Sequence, residues 1–350
     1  MNIRTNLAIA EQLIRDTFRQ ARASGIAGIL LAVTAICVVL CLSVRVSGDV
    51  ALQGGDEPVL FLPQPLPGTV PPTTAADRGV HSVLEANPEL ARREGIETIS
   101  GSLTLAFGAV SFPLTRERAD AIGFLELLLA GGVAGTFGLL LALVWTAGFF
   151  PSFLEPHAAP TLLAKPVARW QLLLGKYLGV LTFVGFQVAL FIVATWLALG
   201  VRTQVWNLSY LWCIPLLLLQ FAIFYSISVL LAVVTRSTMA CLFGSVLYWL
   251  LAWGINCGSV MARGLPGPEY VPSFALALAD AAYWISPKPI DAQLILFNIL
   301  RAEHHFERPV IFKLLESGCG FSPHLSILSS LGITGVLLAL SAFEFDRADY

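Results

Sequence analysis

Charge is scarce in this chain. Asp, Glu, Lys and Arg make up 13% of its 350 residues, about half of what a soluble domain carries. The two signs nearly cancel, to a formal net charge of −2. That leaves neither a basic field for nucleic acid nor an acidic tail, so no nucleic-acid partner is expected. Cysteine is sparse as well, six in all. Cys37, Cys41, Cys213 and Cys241 lie inside apolar runs, where a thiol behaves as a small hydrophobe. No pair has C-x-x-C spacing, which excludes a zinc knuckle or a dithiol redox motif. Cys257 and Cys319 fall in a more polar segment, and a disulfide between them is open if that segment lies outside the cytoplasm.

The patterns of enzymes are missing too. A phosphate-binding loop needs G-x-x-x-x-G-K-[ST]. The nearest stretch, "LLLGKYLG", offers Gly175 and Lys176 without the earlier glycine or the following hydroxyl. There is no H-E-x-x-H, G-x-S-x-G or dinucleotide fingerprint. "AEHHFE", with Glu303, His304, His305 and Glu307, has a metal-like composition. Its adjacent histidines would diverge by about 100° on a helix, however, and it reads as a solvated loop. No catalytic residue, metal or cofactor is expected, and the chain is not expected to hydrolyse ATP by itself.

What the chain has in abundance is apolar sequence, 56% of residues. A bilayer core of about 30 Å takes roughly 20 helical residues. Six uncharged runs meet that ruler: 26–44, 127–150, 177–200, 208–234, 239–260 and 325–343. Backbone groups in lipid must be satisfied internally, which makes these runs helical. The predicted fold is an all-α integral membrane protein of six transmembrane helices. An amphipathic interfacial helix over 1–25 precedes them, with Ile3, Leu7, Ile14 and Phe18 at helical spacing beside a stripe of Arg4, Arg15, Arg19 and Arg22. No ionisable residue sits within the run interiors, so no buried proton path is visible. Gln187 and Gln220 are the main polar groups there and read as hydrogen-bonding helix contacts. Gly131 and Gly135 permit close helix approach, either within the subunit or at a dimer seam.

Orientation follows from Lys and Arg near the span ends. The N-terminal segment, the connection carrying Lys165, Arg169 and Lys176, Arg236 in "TRST" and the C-terminal tail fall on one side by a count of six. The positive-inside rule makes that side the cytoplasm. Residues 45–123 and 261–324 are then two long extracytoplasmic segments. The first begins proline-rich and later alternates at Leu103, Leu105 and Phe107, a short strand signal. The second holds "SFALALADAAYWI" and "IDAQLILFNIL", too short to cross, and reads as helices on or dipping into the outer leaflet.

Between the second and third spans lies "FFPSFLEPHAAPTLLAKPVARWQLLLGKYLG" (149–179). Pro151 is expected to close one span. A short helix follows, with Phe153, Leu162 and Leu163 as apolar contacts, and Lys165 and Pro166 break it before the next span. Residues 151–176 thus form a cytoplasmic hinge in which Trp170 sits at the interface and Lys176 snorkels.

Glu155, Thr161, Leu162, Leu163, Lys165, Pro166, Arg169, Leu173, Leu174, Gly175 and Lys176, in that order, resemble the hallmark of the permease subunits of ABC transporters of the type-2 (exporter) class. The chain departs from that pattern at Pro156 and Pro160. The resemblance implies a coupling helix at 152–165 docking on a separate ABC-type ATPase subunit. It implies two ATPase and two permease subunits, as a homo- or heterodimer, in the cytoplasmic membrane of a prokaryote. Phe153, Glu155, Thr161, Leu162, Leu163, Lys165 and Pro166 would meet the ATPase, while Arg169, Trp170 and Lys176 anchor to membrane lipid. The alternative is a non-transporting membrane scaffold whose outer segments bind partners.

Overall fold

The structure is a computed structural model that describes residues 3–48, 101–114, 118–154, 168–264, 272–302, 309–319 and 321–347. It is an all-α membrane protein with one small sheet. The chain divides into two units: Met1–Ala35, Glu126–Ala194 and Leu208–Tyr350, and Ile36–Leu125 with Thr195–Asn207.

Helix α1 (Ile3–Ala23) and helix α2 (Ile26–Leu42) meet at a bend of 72°. Gly25 makes the break, with a φ of +73° that costs a glycine nothing. Five helices are long and apolar enough to cross a bilayer, and the bent pair supplies a sixth if it is one span. The first of the five, Ala121–Phe153, is composite. Its parts are α3 (Arg118–Leu127), a π-helical stretch (Leu128–Gly138), α4 (Leu139–Thr146) and α5 (Phe149–Phe153). Then come α6 (Arg169–Thr203), α7 (Cys213–Thr235), α8 (Thr238–Gly264), α9 (Ser273–Ile285), α10 (Pro289–Ile299), α11 (Val310–Cys319) and α12 (Pro323–Arg347).

The π-helical stretch follows from its glycines. A Cβ on Gly135 would lie 2.9 Å from the Ala130 carbonyl oxygen, and one on Gly138 3.1 Å from that of Val133, in each case five residues back. The wide turn leaves no room for a side chain at Gly135 and little at Gly138. Thr136 donates to the Gly131 carbonyl at 3.2 Å, also five back. A Cβ on Gly131 would meet Leu296 of α10 at 3.8 Å, and one on Gly135 Leu217 of α7 at 3.4 Å. These glycines therefore pack within the subunit. Pro151 does not close the span; it sits inside α5, in the first turn, where its missing N–H has no helical partner to lose. Pro215 is likewise in the first turn of α7. Between α7 and α8, Arg236 adopts a left-handed conformation (φ 54°) and its N–H caps the Ala232 carbonyl at 2.9 Å.

In the first unit the core is aromatic. Tyr225, fully buried, stacks on Tyr177 and Phe221, with ring centroids 6.0 and 5.2 Å away. The Tyr177 hydroxyl donates to the Ala222 carbonyl at 2.8 Å, so its polar tip is satisfied. Of the two short helices, α9 buries only Tyr283. By contrast, α10 buries Ile290, Asp291, Leu294, Leu296 and Phe297 among the protein's own side chains, not in lipid. Cys257 is a free thiol.

The second unit holds a three-stranded antiparallel sheet in the order β1 (Arg45–Gly48), β2 (Gly101–Leu105), β3 (Val110–Leu114). Arg45 pairs with Thr104, and Leu103 with Phe112. The alternation read at Leu103 and Leu105 is real but ends there. Phe107 turns out of the strand at φ 58° and is 80% exposed. Arg202 Nε donates to the Val44 carbonyl at 2.9 Å within the same unit.

Candidate functional site

Residues 155–167 lie outside the described residues, and with them Glu155, Thr161, Leu162, Leu163, Lys165 and Pro166; so do residues 303–308 and their histidines. Both flanks of the 155–167 segment are described, and both are fixed in the bundle.

On the upstream flank, Phe149, Phe150, Pro151 and Leu154 are buried in the core, and Phe153 is half-buried with its ring 6.2 Å from Phe150. The Leu154 N–H bonds back to the Phe150 and Pro151 carbonyls, closing the turn. On the downstream flank α6 begins at Arg169, whose guanidinium donates at 3.2 Å to the carbonyls of both Phe345 and Asp346. Those carbonyls belong to the last turn of α12, which has no helical donors of its own and carries the negative end of the helix dipole. Arg169 is therefore a cap on α12. Trp170, beside it, is 46% exposed.

Lys176 departs from its expected place. It is only 4% exposed and does not reach headgroups. Its ammonium donates to Gln20 Oε1 at 2.9 Å and to Thr17 Oγ1 at 3.4 Å, and it stands 5.8 and 6.0 Å from the ring centroids of Phe149 and Phe153. Gln20 in turn donates to Ser152 Oγ at 2.6 Å. One polar cluster thus ties α1, α5 and α6 together beside the segment. It exists because α1 lies close on α6: a Cβ on Gly175 would fall 2.6 Å from Leu13 Cδ1, and one on Gly179 2.8 Å from Thr17 Oγ1. Within residues 11–23 the buried face of α1 is accordingly Leu13, Thr17 and Ala21, with Phe18 packed edge-on to Phe183 at 5.5 Å. Sequence reading missed Gln20, Thr17 and Ser152. The small-x-x-x-small spacing of Gly175 and Gly179 was the signal that could have found them.

The same end of the bundle gathers the cations. Arg15 and Arg19 extend outward from α1, with side chains 70% and 81% exposed. Arg236 follows α7, and a Cβ on Gly148, just before α5, would lie 3.5 Å from Thr238. Arg347 ends α12 with its guanidinium 3.9 Å from the Phe343 ring centroid.

A second polar cluster lies at the α9–α10 turn. Asp291, 1% exposed in the first turn of α10, accepts hydrogen bonds on Oδ2 from Tyr283 of α9 (2.6 Å) and from Ser326 of α12. Lys288 donates to Ser329 at 2.5 Å and lies over the rings of Tyr283 and Trp284. Burial pushes the Asp291 carboxyl above its ordinary value, and the bonds from Ser326 and Tyr283, the Lys288 charge and nearby Asn256 hold back part of that rise. Burial likewise lowers Lys288. Asp280 of α9 pairs with Arg263 of α8. Among the described residues no group of three or more His, Cys, Asp or Glu could hold a metal.

Long apolar helices packed around a core define a multi-pass membrane protein. The chain belongs to the ABC-2 family of transporter proteins, whose family model matches residues 7–350, nearly its whole length. It is a permease subunit of an ABC transporter, and membership implies an ABC ATPase as partner. No curated protein matches it.

Proposed function

We propose that this chain is the permease of an ATP-driven exporter and that residues 152–165 form the lever on which a separate ATPase subunit acts. The observation that supports this most is the pair of anchored flanks. A push on residues 155–167 meets Phe150 and Leu154 on one side, buried in the core, and Arg169 on the other, bonded to the end of α12. Through Lys176 and Gln20 the same push reaches α1 and α5. Motion delivered to either flank therefore passes into membrane-spanning helices. Phe153, Glu155, Thr161, Leu162, Leu163, Lys165 and Pro166 face the ATPase in this reading, and two permeases and two ATPases make the assembly.

The gathering of Arg15, Arg19, Arg236 and Arg347 at this end supports a cytoplasmic orientation for it by the positive-inside rule, in a protein of a prokaryotic inner membrane in this reading. Co-purification tests the lever. Replacing Leu162 and Leu163 together by Asp puts unpaired charges into an apolar contact, a cost of several kcal/mol. The ATPase should be lost while the variant still reaches the membrane at normal level. Retention of the ATPase by that variant places the lever elsewhere. A wild-type chain that brings down no ATPase favours the scaffold.

A further inference from the structure

In the first unit, α2, the π-helical stretch with α4, α6 and α7 line a half-open cleft with a cavity volume of about 130 Å³. Its walls are apolar, Val133, Phe137, Leu217 and Phe221 among them, except for Thr34 and Gln187. A volume of roughly 150 Å³ takes a six-carbon ring, so this cleft has room for a ligand of that girth. The two polar residues are not simply paired with each other. The Thr34 hydroxyl donates to the Leu30 carbonyl at 2.9 Å and accepts from Gln187 Nε2 at a long 3.3 Å. No described residue donates to Gln187 Oε1, although Gln187 is only 9% exposed.

Thr34 is at the midpoint of α2 (Ile26–Leu42), and Gln187 lies next to that of α6 (Arg169–Thr203). The open amide acceptor therefore sits near mid-depth in the membrane, where bilayer acyl chains carry no hydrogen-bond donor and water is scarce. The π-helical stretch forms one wall, and such stretches are rare and frequently mark functional sites.

We propose that this cavity is a binding site for a membrane-dissolved amphiphile with a slim apolar body and one hydroxyl group, which donates to Gln187 Oε1. The apolar walls hold the body by dispersion and exclusion from lipid voids. The amide supplies the one directional contact, which separates an alcohol from a plain hydrocarbon.

Photolabelling of the purified full-length chain in lipid nanodiscs with a diazirine-bearing octanol tests this, with adducts mapped by mass spectrometry. Adducts should concentrate on residues 133–142 and 184–191. Ala134→Phe, which fills the cavity, should reduce them at least fivefold. Gln187→Leu, which keeps volume and packing, should reduce them about as far while leaving the melting midpoint unchanged, so the site can be judged even if Ala134→Phe misfolds. Adducts spread evenly over the lipid-facing helices would overturn the proposal. So would equal labelling of Gln187→Leu, or equally focused labelling by a diazirine on a phospholipid acyl chain, which would assign the cavity to bulk lipid.

Discussion

Replacing Gly179 by Ala tests the contact that holds α1 on α6. The new Cβ would lie 2.8 Å from Thr17 Oγ1, 3.3 Å from the Leu13 carbonyl oxygen and 3.6 Å from Ile14 Cα. Thr17 cannot swing away cheaply, because its hydroxyl donates to the Leu13 carbonyl at 2.8 Å in a fully buried position. The other two atoms are backbone, so α1 itself must move by roughly 0.5–1 Å to restore van der Waals distances. Overpacking of this kind costs about 1–3 kcal/mol, and the better helix propensity of alanine returns about 1 kcal/mol. Gly332 of α12 is the matched control, since a Cβ there meets nothing within 4 Å. Gly332→Ala should therefore be neutral or stabilising by up to about 1 kcal/mol. The gap between the variants is the overpacking cost, roughly 2–6 °C in melting midpoint for a chain of this size. The buried thiols of Cys37, Cys41, Cys213 and Cys241 supply the assay, because a thiol-reactive fluorophore reaches them only on unfolding. Equal midpoints for Gly179→Ala and Gly332→Ala would refute the close packing of α1 on α6, and with it the burial of Lys176.

Asp291 should give stability a pH dependence of known sign. Its folded-state carboxyl is raised, so the folded protein binds that proton more tightly than the unfolded chain. Stability from this group is greatest below the ordinary carboxyl range and declines as pH rises through the raised value. Asp291→Asn should flatten that decline in melts taken from pH 4 to 8, and a variant profile parallel to wild type would contradict the assignment. Arg169→Ala should remove about 1–2 kcal/mol of capping from α12. Faster amide hydrogen exchange over Glu344–Arg347 would report it, partly restored in Arg169→Lys; unchanged exchange would mean that Arg169 does not cap. Lys176→Ala should loosen α1, seen as faster exchange in Leu13–Ala21, yet leave the ATPase bound, because the ammonium never reaches the surface. Loss of the ATPase in this variant would mean the lever includes α6.

The sequence by itself determined the membrane fold. Runs such as Tyr177–Gly200, without a charge and long enough to cross, have one solution in a solvent that cannot hydrogen-bond the backbone. It also determined the strand at Leu103–Leu105 and the helices over Ser273–Ile285 and Pro289–Ile299, since period, length and proline placement are local properties. Where a polar side chain ends up is not local. Lys176 reads as a residue that snorkels, and Arg169 as an anchor, because a single sequence shows only their distance from a span end. Tertiary packing gave Lys176 the acceptors of Gln20 and Thr17, which lie 156 and 159 residues away in the chain, and gave Arg169 the last carbonyls of α12. The same is true of Asp291. On its own it is a charge at an awkward depth; Tyr283 from α9 and Ser326 from α12 make burial tolerable only once three helices meet. A buried polar group is stable or ruinous according to its partners, and those partners are chosen by the fold.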